Sequence, residues 1–315
     1  MCRLFGFRSS VESRAHRSLI AAENAMASQA SYHSDGWGIG YFIDKDPYLF
    51  RTSKGAAQDD SFRRFSEGLR SNTLLVHIRK ATVGSIDPIN SHPFRYGSWL
   101  FAHNGTIFGF EKIKDKIYNA ILPVYQRVLF GNTDSEAIFY YLLSEMVRRG
   151  CSTDGTCAIS MADMVAGQQK AIDQIFQWVK DAGEPDAPKI NYILTNGKRL
   201  FARRAGLELF VATQKKQCPD VDTCVEPNKI CLMGVLPQFK EGRNRKCNHL
   251  LVSSEPIGGD DIWEEVPEGA LITLDEGFVC SLYGPPSPFW ITWPECVTVP
   301  TPRQNVVPAL TKWRV

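Results

Sequence analysis

The sequence predicts one layered domain of the α+β class. Three observations lead there. Short apolar runs with strand character recur from residue 2 to residue 282, amphipathic helical segments lie among them, and the later strands follow one another as meanders. Neither an internal repeat nor an interdomain linker interrupts the chain. The domain is expected over residues 2–282, with the polar, cysteine-containing segment 214–246 as a surface insertion. Residues 283–315, rich in proline, form a tail packed on or near it.

Residues 2–7, CRLFGF, read as a short strand. Ser9, Ser10 and Ser13 offer N-caps for an Ala-rich amphipathic helix over about 13–28. His33-Ser34-Asp35-Gly36 is a turn. Trp37–Ile43 is a glycine-containing strand, and 44–47 turns into a second strand near 48–53. A helix is expected over 60–70 and a buried strand over 73–78. Another strand starts at 98–101 and ends at His103-Asn104-Gly105. Thr133-Asp134-Ser135-Glu136 has the form of a helix N-terminus ahead of the apolar stretch 137–147. Residues 161–180 read as a helix. Strand character returns at 191–195, 200–203, 207–212, 249–253, 270–274 and 278–282. The segments 44–60 and 107–131 carry loops of undetermined shape.

Composition excludes several classes of function. The 315 residues are 43% hydrophobic and 22% charged, ordinary for a globular protein, and the net charge of +2 gives no reason to expect nucleic acid or an acidic membrane as partner. No window approaches eighteen apolar residues, and Arg3, Arg8, Glu12, Arg14 and Arg17 interrupt any signal-peptide core. A cytoplasmic protein with reduced thiols is expected. Of nine cysteines, four lie within 218–247 with five, six and fifteen residues between neighbours, wider than the tight pairs of structural zinc sites. Free thiols are the preferred reading.

Cys2 follows the initiator methionine. Methionine aminopeptidases act readily on a small second residue, so Cys2 can become the mature N-terminus and carry a thiol and a free amine together. With an amine pKa of about 7.7–8.0 and a thiol pKa of about 8.5, the amine can serve as base for its own nucleophile. A thiol that cleaves a side-chain amide of a free amino acid needs three further things. Arg79 offers a bidentate cation for an α-carboxylate, and Asp134 a carboxylate for an α-ammonium. The Asn104 carboxamide and the Gly105 N–H offer donors to an oxyanion. Taken singly, each has an ordinary reading: a salt-bridged arginine, a helix-capping aspartate, an Asn-Gly type I′ turn. His77, His92 and His103 read equally as core or turn histidines. In this order, behind Cys2, the ordinary readings lose force together, and the set describes a glutamine or γ-glutamyl site.

The segments MCRLFG, HSDGWG (33–38), HIRKAT (77–82), NSHPF (90–94), HNGT (103–106) and TDSE (133–136) resemble those of the class II, N-terminal nucleophile glutamine amidotransferases, in particular their compact stand-alone group. The resemblance covers most of 2–282. It implies an αββα sandwich of two stacked antiparallel sheets between helical layers. It implies that Cys2 is the nucleophile, that Asn104 and Gly105 form the oxyanion hole, and that Arg79 and Asp134 hold the glutamyl carboxylate and amine. Thr82 and His92 fall on positions lining the glutamine pocket. His103 is grouped with the substrate-binding residues, as are Asp35 and Gly36 of the turn beside the nucleophile. Ser253-Ser254-Glu255 resembles a late strand end that supports the site.

The chain departs from many class II enzymes in showing no second domain for the released ammonia. It has no P-loop and no pyrophosphatase loop. The expected ligand is a small molecule, and the chemistry requires neither metal nor organic cofactor. Two enzymatic readings stand side by side: a glutaminase subunit feeding a separate synthase, and an independent γ-glutamyl amidohydrolase. A non-catalytic glutamyl-binding protein is the alternative from another class. A zinc protein built on His33, His77, His92 and His103 lacks any HExxH or tight Cys/His pair.

Overall fold

Residues 2–14, 17–22, 24–29, 35–215, 247–259, 261–284 and 297–300 are described by a computed structural model. The strands are β1 (Arg3–Arg14), β2 (Trp37–Ile43), β3 (Asp46–Thr52), β4 (Arg70–Ile78), β5 (Phe94–Tyr96), β6 (Trp99–Thr106), β7 (Lys189–Thr195), β8 (Leu200–Arg203), β9 (Phe210–Lys215), β10 (His249–Ser253), β11 (Asp261–Glu265), β12 (Leu271–Leu274), β13 (Cys280–Gly284) and β14 (Val297–Pro300). The helices are α1 (Met26–Gln29), α2 (Asp60–Gly68), α3 (Phe110–Ala120), α4 (Pro123–Gln126), α5 (Asp134–Arg148) and α6 (Met161–Asp181). One seven-stranded sheet runs β11-β9-β10-β1-β4-β2-β3. The other runs β14-β13-β12-β8-β7-β6-β5. Pairing is antiparallel except at the β13–β14 edge.

Strand alternation sorts the side chains into three apolar layers. Leu4, Leu75, Leu100, Ala102, Ile193, Ile272 and Leu282 fill the space between the sheets. Phe5, Phe7, Trp37, Leu74, Val76 and Ile78 point the other way and pack with Met26 and Phe62 of α1 and α2. Trp99, Phe101 and Tyr192 turn outward from the second sheet onto α3, α5 and α6. Helices therefore cover both outer faces, and the architecture is the expected αββα sandwich. Trp37 anchors its layer, with Phe62 at 5.0 Å edge-on and Phe50 at 5.1 Å. Truncating such a fully buried aromatic costs about 3–5 kcal/mol. The sheets approach closely at Gly6, where a Cβ would lie 3.0 Å from the Ile193 Cδ1.

The structure departs from the sequence reading in several places. Among the described residues of 13–28 no single helix runs the length expected: β1 continues to Arg14, and a π-helical turn (Arg17–Ala21) and the short α1 follow. Pairing of Ser13 with Ser71 and of Arg14 with Arg70 holds the strand, overriding the local helical propensity. Asn24, at φ 56°, falls within the segment expected to be helical. Segment 107–131 is largely helical, because Phe110, Ile113 and Ile117 put one apolar stripe onto the core. Cys151 and Cys157 are joined as a disulfide, contrary to the expectation of free thiols. The turn between α5 and α6 brings them together through Ser152 N–H donating to the Thr156 carbonyl at 2.8 Å. Finally, β9 runs on to Lys215 and β13 to Gly284, while most of the expected insertion and tail lie outside the described residues.

Candidate active site

The ends of β1, β4 and β6 and the start of α5 meet at one end of the sandwich. β1 begins beside the end of β4, with Arg3 paired to Ile78. The Cys2 Sγ accepts a hydrogen bond from the Lys80 N–H and donates to the Lys80 carbonyl, both at 3.2 Å. Burial pushes the Cys2 thiol up, the Lys80 N–H and the charge of Arg79 oppose this, and Asp134 adds to it. The chain start is held from the far side as well. Leu4 N–H donates to the Ser254 Oγ at 3.1 Å, Ser254 N–H to the Leu4 carbonyl at 2.9 Å, and Arg3 pairs with Glu255 at 2.5 Å.

Arg79 is buried, only 3% exposed. Its Nη1 donates to the Ser85 carbonyl at 2.8 Å and its Nη2 to the Val83 carbonyl at 3.1 Å. Burial draws the guanidinium down, and Cys2, Asp35 and Asp134 act in the opposite sense. The Arg79 N–H donates to the Gly36 carbonyl at 2.8 Å, and Ala81 N–H to the Asp35 carboxylate at 2.9 Å. Gly36, at φ 126°, sits where a Cβ would lie 2.6 Å from the Thr52 carbonyl oxygen. Asp35 and Gly36 thus fix the backbone on either side of the Arg79–Ala81 turn, while His33 and Ser34 lie outside the described residues.

Asn104 and Gly105 are not a hairpin turn. Both lie inside β6, opposite Asn191 and Ile190 of β7. By alternation Asn104 shares the face of Leu100 and Ala102, which looks across the sandwich toward β1 and β4. It is buried, yet among the described residues its carboxamide makes no hydrogen bond. A side chain at Gly105 would collide with the Lys189 carbonyl, so only glycine fits there.

Asp134 opens α5 behind the N-cap Thr133, whose hydroxyl accepts from the Glu136 N–H at 3.2 Å. Its Oδ2 accepts from the Ile107 N–H at 2.8 Å, tying the helix start to the end of β6, and its Oδ1 from the Ser135 N–H at 2.8 Å. Thr82 and Thr106 bring their hydroxyls to 3.1 Å, linking the loop after β4 to the end of β6.

The histidines take different places. His103 lies on the opposite face of β6 from Asn104, between the Ser135 Oγ (2.8 Å from Nδ1) and the Lys189 carbonyl (3.1 Å from Nε2). Because a carbonyl only accepts, Nε2 carries the proton in the neutral ring, and the Ser135 hydroxyl sits between Nδ1 and the Asp134 Oδ1, which lies 3.2 Å from it. His103 therefore stands behind Asp134 rather than beside the thiol. His92 is buried, 4.2 Å from the His77 ring centroid and 4.8 Å from that of Phe94, with no hydrogen bond to its ring nitrogens among the described residues. Burial, then the neighbouring His77, His103, Arg79 and Arg51, hold it well below its ordinary 6.5.

Sequence reasoning missed the groups that brace these residues: the backbone of Val83, Ser85 and Lys80, and the side chains of Asn90 and Glu136. Asn90 opens the NSHPF segment, and Glu136 occupies the capping-box position after Thr133, so each had a faint signal.

An αββα sandwich of antiparallel sheets, with a cysteine at the start of a mid-sheet strand, is the N-terminal nucleophile hydrolase architecture. Solved structures share it. A glutamine aminotransferase class-II domain protein from Silicibacter pomeroyi superposes over 90% of this chain and 98% of its own, at TM-score 0.58 and 18% identity. The glutamine phosphoribosylpyrophosphate amidotransferase from B. subtilis superposes over 89% of this chain and 48% of its own, at TM-score 0.54 and 14% identity. The chain belongs to the class-II glutamine amidotransferases, whose family model matches residues 1–292. Among curated relatives, the probable glutamine amidotransferase DUG3 of Saccharomyces cerevisiae is 26% identical over 77% of this chain and 70% of its own length. The gamma-glutamyl-hercynylcysteine sulfoxide hydrolase of Mycobacterium tuberculosis is 25% identical over 78% and 76%. No helix among the described residues is long and apolar enough to cross a membrane.

Proposed function

We propose that the protein is a γ-glutamyl amidohydrolase that cleaves glutamine or a γ-glutamyl conjugate through a thioester on Cys2. The observation that supports this reading is the meeting, at one end of the sandwich, of the Cys2 thiol at the start of β1, the Arg79 guanidinium after β4 and the Asp134 carboxylate at the start of α5. Those two opposite charges are what a free glutamyl group presents in mirror image, a carboxylate for Arg79 and an ammonium for Asp134.

With Met1 removed, the Cys2 amine takes the thiol proton and the sulfur attacks the γ-carbonyl carbon. The carbonyl electrons move to oxygen, where the Asn104 carboxamide and the Gly105 N–H stabilise the charge. Collapse of this intermediate expels the amine, which leaves with the proton held by the Cys2 amine. Water then attacks the thioester, gives its proton to the same base, and releases glutamate and the free thiol. Arg79 and Asp134 confer specificity, because another acyl group leaves their buried charges unpaired. Delivery of ammonia to a separate synthase is the second reading, supported by the amidotransferase relatives.

A screen of γ-glutamyl amides, read by mass spectrometry with Cys2→Ala as the blank, tests the proposal. Glutamate release by wild type and none by a folded Cys2→Ala is expected. Equal turnover by both would refute the nucleophile, and so would full activity in protein whose intact mass retains Met1.

A further inference from the structure

Arg79 and Asp134 reach the site on separate supports. Arg79 leaves the end of β4 in one sheet, and Asp134 starts α5, which packs on the other sheet. A clamp for one small zwitterion needs these supports at a fixed separation. The buried Asn90, 1% exposed, spans them. Its Nδ2 donates to the Ser85 carbonyl and Oγ, each at 3.1 Å, and to the Asn132 Oδ1 at 2.9 Å. Its Oδ1 accepts from the Asn132 N–H at 3.2 Å. The Ser85 carbonyl is the one that also receives the Arg79 Nη1. An unbroken hydrogen-bonded path thus runs from the guanidinium through Ser85 and Asn90 to Asn132, two residues before Asp134. A second observation marks the same junction: a Cβ on Gly84, at φ 78°, would lie 2.7 Å from the Asn132 Oδ1 and 2.8 Å from the Thr133 Cγ2. The loops approach so closely that only glycine fits. On the far side, Glu136 accepts from the Gly131 N–H at 2.6 Å and the Phe130 N–H at 3.3 Å, holding the Asp134 support from behind.

We infer that Asn90 is a positioning residue that sets the distance between the carboxylate-binding and ammonium-binding halves of the site. The role rests on the glutamyl reading above. Asn90 touches neither the nucleophile nor the reacting carbonyl, so its loss acts on recognition of the zwitterionic end and leaves the sulfur's own reactivity alone.

The test compares two labelling rates at Cys2 in wild type, Asn90→Asp, Asn90→Ala and Asn132→Ala. One reagent is a diazoketone carrying the α-amino-acid end of glutamine; the other is iodoacetamide, which lacks it. Asn90→Asp keeps the shape and loses both donors. Loss of these buried bonds should reduce the preference for the diazoketone about tenfold in both Asn90 variants. Asn132→Ala, which keeps its N–H to Asn90 and has an exposed side chain to lose, should reduce it about threefold. Iodoacetamide rates should stay near wild type in all three. A preference that survives intact in folded Asn90→Asp, or two rates that fall together, would overturn the role. If the Asn90 variants do not fold, an unchanged preference in Asn132→Ala overturns it instead. Wild type labelled equally by both reagents would refute the glutamyl reading itself, a result distinct from an intact wild-type preference that Asn90 does not control.

Discussion

Replacing Asn104 with alanine separates catalysis from stability. In the resting protein the Asn104 carboxamide makes no hydrogen bond among the described residues, and the pairing of β6 with β7 at this position involves backbone only. Truncation therefore breaks no folded-state bond, and the change in stability should stay within about 1 kcal/mol. The transition state is a different matter. Removing one oxyanion donor typically costs about 10²–10³ in kcat, or about 2.7–4 kcal/mol. Glutamate release measured over a range of substrate concentration, alongside a thermal melt, reads both quantities. The expected result is a fall in kcat with nearly unchanged KM and a melting temperature within a few degrees of wild type. A raised KM at unchanged kcat would show that Asn104 binds the ground state, and would refute the oxyanion assignment. A large loss of stability would show that the carboxamide is structural.

Three other outcomes follow from the same geometry. Arg79→Lys cannot bond the Ser85 and Val83 carbonyls while presenting a planar fork, so KM should rise about tenfold or more; an unchanged KM would remove Arg79 from substrate recognition. His92 is held below 6.5 in the folded protein, so the unfolded chain binds the proton first as pH falls, and stability is lost below about pH 6.5. His103, lowered by burial, acts in the same direction. Denaturant titrations should show a shallower acid slope in His92→Phe, and an identical slope would contradict the buried neutral ring. Ser254→Ala leaves the Leu4 N–H without its acceptor close to Cys2, and should destabilise by about 1–3 kcal/mol; a neutral melt would mean that the chain start is held elsewhere.

Much of this arrangement is written in local pattern. β2 and β10 occupy the expected residues 37–43 and 249–253, because alternation and flanking turn residues bound them on both sides. Thr133 and Glu136 announce α5 by chemistry that acts within one turn. Failures arise where distant partners decide. Ser13 and Arg14 head an Ala-rich stretch that looks helical, yet β4 offers these two a ladder to pair with, and β11 is a half-exposed edge strand with little apolar alternation to reveal it. The stripe of Phe110, Ile113 and Ile117 has helical spacing, but no side-chain cap announces where the helix begins. At the site, side chains with distinctive chemistry could be read in order along the chain. The braces could not, since the carbonyls of Val83 and Ser85 are backbone atoms that any residue supplies. Asn104-Gly105 shows the limit most clearly: the dipeptide favours a tight turn, and β7 makes it strand.

β1 lies in the middle of its sheet, with Phe5 opposite Val76 on one side and Ser253 on the other. During synthesis the first neighbour emerges early, but the second is some 250 positions away, roughly 10–50 s later at ribosomal speed. For that interval the newborn segment offers an open hydrogen-bonding rim, a hazard for unwanted pairing. A truncated polypeptide that stops short of β10 would leave Cys2 on an incomplete platform. The platform under Cys2 is thus completed only when a strand made long after it has arrived.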